Sequence, residues 1–189
     1  MDGRGVILWD FDGTLAERPG MWRGCLLDVL DQSMPRHGIE PGQLTSLLRS
    51  GFPWHSPGRA HLELCDPEAW WAVLAGLFAR AYEGVGIPAT EARRLAGAVR
   101  DRFLDPGSWR LFPETLPVLE RLRERGWRHA ILSNHVPELA HIVAGLGLSS
   151  LVDVTLSSAR VGYEKPHPGG VRGCPGGCCA GEGSLDGWR

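Results

Sequence analysis

Val6-Ile7-Leu8-Trp9-Asp10-Phe11-Asp12-Gly13-Thr14 is the stretch that decides the fold. A continuous apolar run, Val6 to Trp9, passes directly into acids, a glycine and a hydroxyl. Such a run fits a strand of a parallel sheet covered on both faces. Ligands of open α/β sheets bind beyond the carboxyl ends of the strands, where Asp10 to Thr14 fall. Two carboxylates separated by one residue can divide labour. One attacks as a nucleophile while the other exchanges protons with the leaving group. Gly13 lets the chain turn sharply, and Thr14 can fix an oxygen of an Asp or of a ligand. Asp-Gly is also a common turn pair, so the same residues would serve in a plain strand-end turn.

Downstream, residues from about 17 to 104 show helical patterns only. Trp22 to Arg36 carries Leu26, Leu27, Leu30 and Met34 on one stripe, and a short helix covers Gln43 to Arg49. Asp66-Pro67 is an N-cap followed by proline at the first helical position. It opens a helix whose Trp70, Trp71 and Phe78 are expected in its core. Ala89 to Leu104 is a further helix. The α/β pattern resumes near Leu111: a helix over Glu114 to Arg125 stopped by Gly126, a strand over Arg128 to Leu132, a helix over Glu138 to Leu146, and a strand over Leu151 to Leu156. Alternating helix and strand predict a parallel sheet with right-handed crossovers. The expected organisation is an α/β, Rossmann-like core from residues 1–16 and 105–168, with an inserted α-helical cap at 17–104.

Two further groups could carry chemistry. Ser133-Asn134 ends a strand, where a hydroxyl and the next backbone N–H can hold a phosphate oxygen; the same pair could simply cap the helix opened by Pro137. Lys165, in Tyr163-Glu164-Lys165-Pro166-His167-Pro168, can neutralise a carboxylate and a phosphoryl group together, or remain a solvated surface lysine. Trp22, Trp54 and His55 are candidates to face a substrate from the cap. His135 is expected at the surface where its helix begins, with a place in the site as the alternative. Cys25 and Cys65 are expected to be buried thiols.

Bulk properties narrow the class. Of 189 residues, 43% are hydrophobic and 22% charged, enough apolar material for a packed core. Twenty Lys and Arg against 22 Asp and Glu give a net charge of −2, which lacks the basic footprint of a nucleic-acid partner. The longest apolar stretch, Ala69 to Ala79, is far short of the ~20 residues of a membrane span. Acids flank the first apolar run, unlike a signal peptide. A cytoplasmic protein with reduced thiols is expected, with no membrane or protein partner.

Together, Trp9-Asp10-Phe11-Asp12-Gly13-Thr14-Leu15, Leu132-Ser133-Asn134 and Glu164-Lys165-Pro166-His167-Pro168 resemble the first three motifs of the haloacid dehalogenase superfamily, with His167 where Asp is commoner. The resemblance covers roughly residues 5–168. It implies an Mg²⁺-dependent phosphatase acting on a small phosphorylated metabolite. Asp10 would form an aspartyl-phosphate, and Asp12 would be general acid and then base. Asp10 and Asp12 would hold Mg²⁺, Asp12 through its backbone carbonyl. Ser133 would bind the phosphoryl group, with Asn134, Thr14 and Gly13 beside it, and Lys165 would stabilise Asp10 and the transferring oxygens. The dehalogenase branch lacks the second acid, so Asp12 favours phosphoryl chemistry. A phosphomutase of the same fold, needing a bisphosphate activator, is the runner-up. A non-catalytic product of a disrupted gene is the reading from another class.

The family's fourth motif, an apolar strand ending in Gly-Asp, has no counterpart here. Residues 169–189 hold eight Gly and three Cys without apolar periodicity. Back-translated and shifted one base downstream, Leu185 to Arg189 permits W-M-V-G, about 23 residues after Lys165, and the segment before it permits an amphipathic helix. A frameshift is therefore expected, which would leave Val6 to Trp9 an open edge and the chain as written nearly inactive. A native Gly-rich tail, or Cys174, Cys178 and Cys179 as metal ligands, are the alternatives.

Overall fold

A computed structural model describes residues 5–168. The tail from 169 onward, with its frameshift and cysteine readings, lies outside the described residues.

The elements follow in chain order: β1 (Val6–Trp9), β2 (Ala16–Glu17), α1 (Met21–Ser33), α2 (Pro41–Leu47), α3 (Pro67–Gly84), α4 (Ala89–Leu104), β3 (Arg110–Leu111), α5 (Thr115–Glu124), β4 (Arg128–Ser133), α6 (Leu139–Gly145), β5 (Val154–Ser157) and α7 (Ser158–Val161). The main sheet has the order β1-β4-β5, all parallel. Parallel neighbours need crossover connections, and α6 supplies the one between β4 and β5. The α/β class and Rossmann-like parallel core expected from the sequence are therefore present.

The central strand, β4, is almost wholly buried. Its His129 shows how a polar ring is accommodated there. Trp9 Nε1 donates to His129 Nδ1 at 3.1 Å, and His129 Nε2 lies 3.0 Å from the Leu119 carbonyl. Those partners require the proton on Nε2. The ring thus ties β1, β4 and α5 together.

β1 departs from the expected fully covered strand. Among the described residues it pairs with β4 alone, and Leu8 is 46% exposed.

The helical insertion is attached through a feature the sequence pattern did not show. β2 and β3 form a two-stranded antiparallel pair, Ala16 opposite Leu111 and Glu17 opposite Arg110, at the point where the insertion leaves and returns. Each strand has two residues, too few for any period-2 signal. α1 stops at Ser33, short of the expected Arg36, and α2 starts at Pro41, ahead of the expected Gln43, whereas α3 and the exit from α6 follow their predicted chemistry. Asp66 Oδ1 accepts from the Ala69 amide at 3.0 Å, with Pro67 in the first turn. Gly147, at φ +78°, lets the chain leave α6 in the left-handed region that side chains avoid.

Trp70, Trp71, Leu74 and Phe78 of α3 pack with Trp22, Leu26 and Leu30 of α1 and Leu95, Val99 and Phe103 of α4. Trp22 lies flat on Phe103, with ring centroids 3.9 Å apart. Tyr82 donates its hydroxyl to the Leu26 carbonyl at 3.0 Å. Cys25 is buried as expected, but Cys65 is only half-buried, because it lies between a 3-10 turn and the start of α3 instead of inside a helix. The insertion docks on the core through Glu138, just before α6. Its carboxylate accepts from Trp71 Nε1 at 3.0 Å and from Arg100 at 2.8 Å. A second contact runs from the His61 amide to the Gly162 carbonyl, 2.7 Å, beside the Lys165 loop.

Candidate active site

The register of the sheet builds the site. Trp9 pairs with Ile131, so Asp10, one residue on, and Ser133, two residues on, emerge near each other at the carboxyl ends of β1 and β4. The Ser133 hydroxyl donates to Asp10 Oδ1 at 2.7 Å, and the Phe11 amide donates to the same oxygen at 2.8 Å. Lys165 Nζ reaches the other oxygen, Oδ2, at 2.9 Å. Lys165 is thus turned into the site and is not a free surface lysine. Residues far apart in sequence converge on one carboxylate. Burial alone would raise the Asp10 carboxyl, but the Lys165 ammonium, the Ser133 hydroxyl and the Phe11 amide outweigh it. They hold Asp10 below the usual carboxylate range.

Asp12 lives in a different environment. Its Oδ1 is buried without a hydrogen-bond partner. Burial first, and then the charge on Asp10, push its carboxyl up to about 7, with Lys165 opposing. Two neighbouring acids, one held ionised and one inclined to keep its proton, are the pattern of an acid/base pair with separated roles.

The loop after Asp12 folds back on Phe11. The Phe11 carbonyl accepts from the Thr14, Leu15 and Ala16 amides at 3.0–3.2 Å, and Gly13 donates to the Ala16 carbonyl at 2.9 Å. Gly13 sits at φ +72°, a conformation a side chain would strain, so the sharp turn requires glycine. Gly13 and Thr14 are both exposed and line a small cavity with Trp9 and Phe112.

Asn134 takes a part its sequence context did not suggest. Its side-chain Oδ1 accepts from the Lys165 amide at 2.6 Å, and its Nδ2 donates to the Lys165 carbonyl at 3.1 Å. Its side chain positions the lysine. The loop carrying Lys165 is further organised by Tyr163 stacked on His167, with centroids 4.6 Å apart. Glu164 is buried, with Oε2 unpartnered; burial raises its carboxyl, against the pull of Ser158, His61 and Lys165.

His135 corrects the expectation of a surface residue. It is 3% exposed, packed among Phe11, Phe103 and Trp109, and burial pushes its imidazole down to about 3. Its backbone is held on both sides: the Ser157 hydroxyl donates to its carbonyl at 2.6 Å, and its amide donates to Ser158 Oγ at 3.2 Å. Neither ring nitrogen has a hydrogen-bond partner, and Nε2 lies 3.7 Å from Asp12 Oδ2. No local signal distinguishes such a histidine, because the rings packed on it, Phe11, Phe103 and Trp109, come from three separate segments.

Beyond Asp12 opens a cavity of about 420 Å³, lined by Met21, Trp22, Trp54, Phe103 and Val136 together with Asp12, Asn134 and His135. Trp22 and Trp54 therefore face the site from the insertion. His55 does not line the cavity; it is exposed, edge-on to Phe52 at 5.6 Å.

Comparison with known proteins gives the family. A family model described as haloacid dehalogenase-like hydrolase matches residues 5–173. The chain belongs to the haloacid dehalogenase-like hydrolases. It is 36% identical over 184 residues to phosphoserine phosphatase of Thermus thermophilus, covering 86% of this chain and 71% of that one. It is 29% identical over 169 residues to human haloacid dehalogenase-like hydrolase domain-containing protein 3, covering 86% of this chain and 64% of the human protein. The chain thus spans less than two thirds of that relative's length. Among solved structures, a magnesium-bound hydrolase of the family from Bacillus subtilis superposes with a TM-score of 0.64 at 16% identity, covering 88% of this chain and 69% of that one. That likeness concerns the fold.

Proposed function

We propose that the protein is a phosphatase of small phosphomonoesters working through an aspartyl-phosphate. One observation carries the reading: a carboxylate, Asp10, held by Ser133, Lys165 and the Phe11 amide, with a second acid at the mouth of a cavity. Its similarity to a phosphoserine phosphatase supports the reaction class.

In the first half-reaction an Asp10 oxygen attacks phosphorus. Oδ1 already accepts two hydrogen bonds, so Oδ2, with one ammonium contact, is the freer oxygen. The bond from phosphorus to the ester oxygen breaks, and Asp12 gives its proton to that oxygen. In the second half-reaction Asp12 takes a proton from water as the water attacks phosphorus. The bond to Asp10 breaks and inorganic phosphate leaves. Lys165 offsets the negative charge gathered between Asp10 and the phosphoryl oxygens, and Asn134 keeps it there. The helical insertion acts as a cap, screening the site from water through Trp22 and Trp54.

Magnesium fits the donors present. It prefers oxygen ligands and binds through one or two carboxylates plus phosphate, keeping several waters. Asp10 and the Asp12 backbone carbonyl would hold it, and it would supply charge neutralisation where carboxylate and phosphate repel. Among the described residues no third acid joins them. Because the sequence shows no counterpart of the family's fourth motif, we hold that residues 1–189 turn over slowly compared with a chain carrying an acid there.

Hydrolysis of an aryl phosphate with Mg²⁺ tests the function. Phosphate release lost in Asp10→Asn is the expected result. Metal-independent halide release from a 2-haloacid would instead place the protein with the dehalogenases.

A further inference from the structure

The cavity beyond Asp12 is poor in charge of the kind an anionic metabolite requires. Its walls are Met21, Trp22, Trp54, Phe103 and Val136, and among the described residues no Lys or Arg lines it. Lys165 and Arg18 each have an acidic partner. Lys165 Nζ faces Asp10, and Arg18, itself buried, donates to the Asp28 carboxylate at 2.7 Å and to the Met21 carbonyl at 3.2 Å. Asn134 has both ends of its amide on the Lys165 backbone. The remaining acid among the described lining residues is Asp12. A carboxylate on the leaving group would find no cation among them, and burying it unpaired is costly.

The aromatic walls are arranged for a flat group. Trp22 is stacked on Phe103 with an interplanar angle of 6°. Trp54 lies nearly parallel to Trp22, at 21°, with centroids 6.3 Å apart, and is itself stacked on Phe52 at 4.5 Å. Trp22 is almost fully buried, whereas Trp54 is half-buried and still offers surface. Trp54 comes from a 3-10 turn, Pro53–His55, between α2 and α3, while Asp12 belongs to the core. The cavity therefore joins the reacting end to an apolar wall supplied by the insertion.

We infer that this cavity takes the leaving group of the substrate and that the group is an uncharged, ring-bearing one, so the preferred substrates are aryl or arylalkyl phosphate monoesters rather than phosphorylated acids. The inference rests on the phosphatase reading: the phosphoryl end lies at Asp10, Ser133 and Lys165, and the ring lies against the open surface of Trp54. Stacking and burial of one ring are worth about a tenfold gain in affinity over a phosphonate without it.

The test is calorimetric binding of non-hydrolysable phosphonates to residues 1–189 in Mg²⁺. Naphthylmethylphosphonate is expected to bind about tenfold more tightly than methylphosphonate, and a carboxylate-bearing phosphonate no more tightly than methylphosphonate. Trp54→Ala is expected to reduce the naphthyl advantage to about twofold, and Trp54→Phe to keep most of it. The second variant retains a ring, so a loss seen in both would indicate disturbed folding, which melting curves of the two check. Equal binding of all phosphonates, or preference for the carboxylate or a quaternary ammonium phosphonate, overturns the inference and leaves the phosphatase reading intact. Binding of none of them, inorganic phosphate included, overturns both.

Discussion

Asn134 holds Lys165 from both sides of its peptide, accepting from the lysine amide at 2.6 Å and donating to its carbonyl at 3.1 Å. One side chain thereby fixes the backbone from which Lys165 Nζ reaches Asp10, 2.9 Å away. The arrangement explains why the residue after Ser133 matters without pointing its own amide at a phosphate.

If Asn134 works through Lys165, the two substitutions overlap. Asn134→Ala is expected to lower kcat/KM about tenfold or more, and Lys165→Ala further. The double variant is expected to be no worse than Lys165→Ala alone, because coupled residues are not additive. Fully additive losses would show that Asn134 acts on the substrate independently.

Asp10→Asn is expected to abolish turnover of an aryl phosphate, since an amide does not attack phosphorus at a useful rate. Asp12→Asn keeps the nucleophile but removes the proton carrier, a loss of about 10²–10⁴-fold. Acid-quenched samples would show phosphorylated protein with Asp12 variants and none with Asp10→Asn. Full activity in Asp10→Asn would sink the mechanism.

Chelation with EDTA is expected to remove activity, and added Mg²⁺ to restore it, because a cation offsets repulsion between Asp10 and the phosphate. Undiminished phosphate release in EDTA is the contrary outcome.

Stability at acid pH is expected to carry the mark of His135. Burial depresses its folded value to about 3, while the unfolded residue titrates near 6.5. The unfolded state therefore binds the extra proton first. Its contribution to stability is present above about pH 6.5 and is lost as pH falls towards 3, at up to about 1.4 kcal/mol per unit. His135→Phe keeps the aromatic packing without the proton. Denaturation midpoints of the two proteins from pH 7 to 4 should diverge, the variant losing less. Parallel curves would refute the assignment.

The β1 edge is expected to limit solubility. Leu8, 46% exposed on a strand paired along one edge among the described residues, presents an apolar template for association. Leu8→Lys places a charge there at small cost to the core. Light scattering of residues 1–189 should fall in the variant, with the melting temperature changed by only a few degrees.

Much of this was legible in the chain itself. The run from Val6 to Trp9, the Asp66-Pro67 start and the exits at Gly126 and Gly147 act through local physics: apolar continuity, a capping carboxylate, a proline and left-handed glycines. Asp10, Asp12 and Ser133 stood out because acids and a hydroxyl at strand ends have few structural duties, and Lys165 because it sits in a proline-bearing loop. Other features had no local trace. The β2–β3 pair has two residues in each strand. The placement of Trp22 and Trp54 on one cavity depends on how the insertion docks through Glu138. The sequence by itself thus determined the order of elements and the chemistry available at their ends, since both follow from neighbours along the chain. Tertiary structure alone decided that Asn134 clamps Lys165, that His135 is buried and neutral, and that Asp12 keeps its proton more readily than Asp10. Those properties are set by desolvation and by partners more than 20 residues away, such as Lys165 at 31 from Asn134.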